Sequence, residues 1–108
     1  MSNYSEEKLN QIWDKAKIPN EGVKDEWRKD YAGAWINKSK YGEESDYGWE
    51  VDHAKPSSKG GGDELGNLVP LHWNNNRTKG DDYPSFKTSI SSDGDKNIEK
   101  EQSWNYNK

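Results

Sequence analysis

Apolar side chains are sparse along this chain, and their spacing changes from one stretch to the next. Leu9, Ile12, Trp13 and Ala16 recur at helical spacing. Ser5 stands ahead of them with Glu6 and Glu7, a hydroxyl cap and two acids near the positive end of a helix dipole. Pro19 and Gly22 then close the segment, so the pattern predicts a helix over about residues 5–17 whose apolar stripe packs on the rest. From Val23 to Tyr47 the anchors Trp27, Tyr31, Trp35 and Ile36 follow no regular period, and Gly33 and Gly42 read as turn residues. Short strands or turns are expected there.

Trp49 to His53 (WEVDH) alternates like a strand, and the run AKPSSKGGGDELG after it reads as an ordered surface loop. Asn67 to Leu71 (NLVPL) suits a second short strand, with Pro70 confining it to an edge or marking its end. His72 to Lys79 (HWNNNRTK) reads as a helix stopped by Gly80. The remainder holds a Ser-Asp-Gly-Asp turn between weakly alternating segments. It reads either as a β-hairpin from about Phe86 to Gln102 or as a mobile tail docking through Phe86 and Trp104. The sum is an α+β fold without internal repeats.

Composition sharpens this picture. The chain has 108 residues, 28% of them hydrophobic, with a net charge of −4 and a mean hydropathy of −1.45. One domain is expected at this length, with residues 1–48 as an aromatic-rich lead-in, 49–81 as the central unit and 82–108 as an extension. So few apolar residues lean towards disorder, but six Trp and six Tyr, each able to bury roughly 150–250 Å², make a small aromatic core feasible. No apolar run reaches the ~20 residues of a membrane span. The start MSNYSEEKLN lacks the basic and apolar regions of a signal peptide, so a cytoplasmic location with no membrane partner is expected. The absence of cysteine excludes disulfides and cysteine-ligated zinc. The negative charge weighs mildly against a non-specific nucleic-acid binder.

Candidate chemistry concentrates in WEVDHAKPSSKGGGDELGNLVPLHWNNNRTKGD. Asp52 and His53 are adjacent at a strand end, where alternation points them to opposite sides unless the strand is distorted. Asn67 follows the glycine-rich loop, and Asn76 lies nine residues further on, in the expected helix. A strand pair packed on a helix could gather all four into one pocket. Asp52 offers an anionic oxygen and Asn76 a carbonyl oxygen, which suit Mg²⁺ or Mn²⁺ better than zinc. His53, with an ordinary pKa near ~6.5, can take a proton from an attacking water. Together these groups suit metal-assisted phosphodiester hydrolysis.

The order Asp-His, Pro with a Ser/Gly-rich loop, Asn-Leu, then Asn-x-x-Lys resembles the HNH endonuclease motif, the ββα-metal fold. The flanks YAGAWINKSKYGEESDYG and GDDYP resemble a bacterial HNH subgroup. The resemblance implies a DNA endonuclease using one divalent cation, held by Asp52 and Asn76, with His53 as general base. Asn67 would fix the inter-strand loop and the orientation of His53, and Arg77 and Lys79 would contact phosphates. Where many relatives carry zinc-binding cysteines this chain has His72 and Asn75, so no structural zinc is expected and Trp35, Trp49 and Trp73 become core candidates.

Each feature also has a plainer reading. His72 lies four residues before Asn76 and could be a third ligand or a phosphate contact, or it could cap the helix. Gly60 to Gly62 lack a following Walker-type lysine and read as a turn. Lys55 and Lys59 could touch a nucleic-acid backbone or simply be solvated. Trp27, Tyr31, Tyr41 and Tyr47 could stack on bases or form core, and Glu43-Glu44 and Asp81-Asp82 read as solvated turns. The rival function is a catalytically silent binding or inhibitory module contacting nucleic acid or a nucleic-acid-processing protein. A duplex or a single strand could serve as substrate, and nothing specifically indicates a protein partner or a homodimer. Residues 49–81 carry a net charge of −1, so binding to a polyanion without the cation is expected to be weak.

Overall fold

The computed structural model describes residues 4–19 and 25–107, so the Gly22 stop signal and Val23 lie outside the described residues. Helix α1 spans Glu6–Trp13, and the Ser5 hydroxyl accepts the Lys8 N–H at its start. It is shorter than its apolar periodicity suggests. Lys15 and Ala16 turn back on Ile12 and Trp13, and Lys17 then exchanges both backbone hydrogen bonds with Lys29. That pairing draws the chain out of the helix, although Ala16 stays on the buried face.

Strands β1 (Trp27–Lys29) and β2 (Trp35–Asn37) form an antiparallel pair. Their turn is closed by Asp30, whose Oδ1 accepts the N–H groups of Ala32 and Ala34, with Gly33 at φ 92°. Strands β3 (Trp49–His53) and β4 (Leu68–His72) are also antiparallel, with Asp52 opposite Val69 and His53 opposite Leu68. Pro70 is tolerated because β4 pairs on one side only. Helix α2 (Trp73–Lys79) follows β4 directly. It ends at Gly80, whose φ of 57° is combined with ψ −135°, outside the left-handed helical region expected of that stop.

The C-terminal segment is a hairpin of β5 (Ser85–Asp93) and β6 (Lys96–Asn105), with an irregularity between Thr88 and Ile90. At that bulge the Asn75 carboxamide accepts the N–H groups of Ser89 and Ile90. Its Nδ2 donates to the Ile90 carbonyl and to Asp30 Oδ2. A buried side chain of α2 thus satisfies backbone groups that the bulge leaves over.

The result is a small α+β fold of three two-stranded sheets and two helices among the described residues. Its main core gathers Ile12, Trp13, Ala16, Ile36, Trp49 and Leu68, with the Trp13 and Trp49 rings 5.3 Å apart. Of the three expected core tryptophans only Trp49 is buried. Trp35 and Trp73 are half-buried because each indole N–H reaches a carbonyl, on Gly94 and Ser45 respectively. A second aromatic group of Tyr31, Phe86, Trp104 and Tyr106 anchors the hairpin. Among the described residues no helix is long and apolar enough to cross a membrane.

Candidate active site

Alternation along β3 divides the site between two faces. Glu50 and Asp52 face α2, where they meet Asn76, Arg77 and Lys79. His53 takes the opposite face and meets the loop and the start of α1.

Asp52 is buried, and the buried Lys79 lies against it. The Lys79 Nζ stands 3.3 Å from each carboxylate oxygen, but only Oδ1 receives a hydrogen bond. The ammonium also donates to the His53 carbonyl and lies over the Phe86 ring. Burial pushes the Asp52 carboxyl up to about 6, against the opposing pull of Lys79. Lys79, expected from the family resemblance at a phosphate, is instead the internal counter-ion of Asp52.

Asn76 donates from Nδ2 to Glu50 Oε1 at 2.9 Å. Arg77 is bonded to Glu44 at 2.7 Å and lies 3.5 Å from Glu50. The bond to Glu44, reinforced by the charges of Glu44 and Glu50, raises its pKa above the ordinary value. Arg77 is therefore exposed but already committed to acids. Lys55 and Lys59 are exposed on the loop.

His72 caps α2. Its Nδ1 accepts the Asn74 N–H and its Nε2 donates to the Asp46 carbonyl at 2.9 Å. Burial pushes its pKa down, against that bond and nearby acids. With both ring nitrogens engaged it has no lone pair for an ion and no free N–H for a phosphate. Of the two readings of His72, ligand or phosphate contact and helix cap, the structure has the cap.

Asn67 closes the long loop between β3 and β4. Its Oδ1 accepts the Lys55 N–H at 2.8 Å, and its Nδ2 donates to the Lys55 and Gly62 carbonyls. The return path is so tight at Gly61 that a Cβ there would stand 1.6 Å from the Lys55 carbonyl oxygen. On the far side of the loop Asp63 accepts from the His53 ring, with Nε2 to Oδ1 at 2.6 Å. That bond, more than the nearby charges, holds the Asp63 carboxyl below the usual carboxylate range. A cleft of about 720 Å³ opens here, lined by Tyr4, Lys8, His53, Ser57 and Gly61 with Asp63.

Residues 37–82 match the family model described as HNH endonuclease. This segment is an HNH domain. No curated protein and no solved structure matches the chain. The HNH match begins at the end of β2 and stops just beyond α2, leaving α1, β1 and the C-terminal hairpin outside it.

HNH nucleases use a divalent metal, and the donors of this HNH domain fit one in kind. Asp52 Oδ2 is a buried carboxylate oxygen with no hydrogen-bond partner, and no hydrogen bond engages Asn76 Oδ1 among the described residues. Both are hard oxygens. No group of three or more His, Cys, Asp or Glu side chains is placed to share an ion among the described residues.

Sequence reasoning missed four participants: Asp63, Glu50, Asp30 and Asn75. Glu50 was open to inference, because it precedes Asp52 by two residues and must share its strand face. Asp63 sits in a glycine-rich loop whose path no periodicity specifies.

Proposed function

We propose that this HNH domain is a divalent-metal-dependent endonuclease that hydrolyses DNA phosphodiester bonds. The observation that carries the reading is the buried Asp52 oxygen that receives no hydrogen bond, beside His53, whose ring opens on a cleft, within a recognised HNH domain. Asp52 and Asn76 would hold one Mg²⁺ or Mn²⁺, which supplies charge stabilisation at the scissile phosphate and its leaving oxygen. His53 takes a proton from water as that water's oxygen attacks phosphorus and the bond to the leaving oxygen breaks. Its Nε2 is committed to Asp63, so Nδ1 is the nitrogen that receives the proton. Lys79 keeps Asp52 ionised and in place while the site is open. Asn67 holds the loop that forms the cleft wall, and Lys55 and Lys59 supply exposed positive charge on the same loop.

Plasmid nicking with Mg²⁺ or Mn²⁺ tests the assignment. Wild-type protein is expected to convert supercoiled to nicked DNA, with His53→Ala and Asn76→Ala inactive. Equal cutting by those variants would sink it.

One observation favours the rival reading, a silent HNH-fold binding module: the cation facing Asp52 is already supplied by Lys79. Calorimetry separates the two, since a silent module takes up no divalent ion.

A further inference from the structure

We propose that Asp63 is the positioning residue for His53, forming with it a His–carboxylate dyad that fixes which ring nitrogen carries the proton. The inference rests on the reading of His53 as general base and adds to it the group that orients the ring.

Three contacts converge on this residue. The His53 Nε2 lies 2.6 Å from Asp63 Oδ1, a short charge-assisted hydrogen bond. From α1 the Lys8 ammonium donates to the Asp63 carbonyl at 2.8 Å, and from just before the helix the Tyr4 hydroxyl lies 3.4 Å from Oδ1. From within the loop, Asn67 Nδ2 binds the carbonyl of Gly62, the residue just before Asp63. Among the described residues the Asn67 side chain hydrogen-bonds to Lys55 and Gly62 and not to His53, so its effect on the ring runs through this loop. The chain of support runs from Asn67 through Gly62 to Asp63 and then to the imidazole.

An ionised carboxylate is an acceptor only, so it requires the proton on Nε2, which leaves the lone pair on Nδ1 and holds the ring in one orientation. Helix α1 and Tyr4 ahead of it lie outside the HNH match, yet through Lys8 and Tyr4 they take part in holding the dyad.

The chain has two histidines, which makes NMR decisive. In metal-free protein the His53 Nε2–H should give a hydrogen-bonded imidazole proton resonance, identified by its loss in His53→Ala. His72, whose Nε2–H donates to Asp46, serves as the internal reference. Asp63→Ala is expected to abolish the His53 signal and leave that of His72 intact. In nicking assays Asp63→Ala and Asp63→Asn should lower kcat roughly 10–100-fold with little change in KM, the range typical of supporting partners at such sites. A persistent His53 signal in Asp63→Ala, or an unchanged kcat in both variants, overturns the proposal. If His53→Ala itself cuts normally, the general-base reading fails, and the resonance still decides whether the dyad exists.

Discussion

Lys79 and Asp52 face each other out of solvent, with the ammonium 3.3 Å from both carboxylate oxygens. Taking two charges out of water is costly, so such a pair adds little net stability, while removing one partner leaves an uncompensated buried charge. Lys79→Met is therefore expected to lose about 3–5 kcal/mol near pH 8. Adding Asp52→Asn to it should recover much of that loss. Urea denaturation of the single and double variants measures the coupling.

Asp52 also sets a pH dependence. Folding raises its pKa from 3.8 to about 6, so the folded protein holds this proton more tightly than the unfolded chain. The stability gained from protonation is fully present below the unfolded value and is lost as pH rises through about 6. The shift corresponds to about 3 kcal/mol between those limits. Asp52→Asn should flatten that part of the stability curve, and an unchanged curve would contradict the assignment.

His72 works in the opposite sense. Its folded pKa is lowered by burial, so its contribution is present above the ordinary 6.5 and is lost as pH falls through the lowered folded value. His72→Ala should cost about 1–2 kcal/mol at pH 7.5, for a lost cap and hydrogen bond. The penalty should shrink in acid, where the wild type has already lost this contribution.

Two glycines of the same loop make a controlled comparison. A Cβ on Gly61 would collide with the Lys55 carbonyl, whereas one on Gly66 would meet nothing within 4 Å. Gly61→Ala is expected to destabilise by about 1–3 kcal/mol and to reduce cutting, because it forces apart the two strands of chain that Asn67 clamps. Gly66→Ala should stay within about 0.5 kcal/mol of the parent. Thermal melts and nicking assays on the pair check both.

Arg77 is engaged by Glu44 and lies close to Glu50, whereas Lys55 and Lys59 are exposed. If the loop lysines meet the nucleic-acid backbone, each of Lys55→Ala and Lys59→Ala should lower the salt slope of DNA binding by about one. Arg77→Ala should change it less. Fluorescence anisotropy over a salt series provides the readout.

The elements of the HNH segment and of the hairpin after it were legible because short patterns specify them: alternation at WEVDH and the helix after NLVPL in the first, the Asp-Gly turn in the second. Alternation also separated Asp52 from His53 correctly, on opposite faces of β3. Side-chain partners were harder to read. A sequence motif states which residue types are present, while burial decides which of them meet. Lys79 was expected at a phosphate from the HNH resemblance, and it is buried because α2 packs on both β3 and β5. The end of α1 was overestimated because periodicity cannot register a competing backbone partner as distant as Lys29.

Two-stranded ribbons are marginal on their own in water, and this protein is assembled from three. What ties them is a polar latch: Asp30 Oδ2 accepts from the His72 backbone and from Asn75, and Asn75 in turn grips β5. The molecule stands like an arch with a hydrophilic keystone. The HNH segment leans on abutments outside its own boundaries, so residues 37–82 excised alone would lack both the carboxylate that receives the latch and the strand it grips.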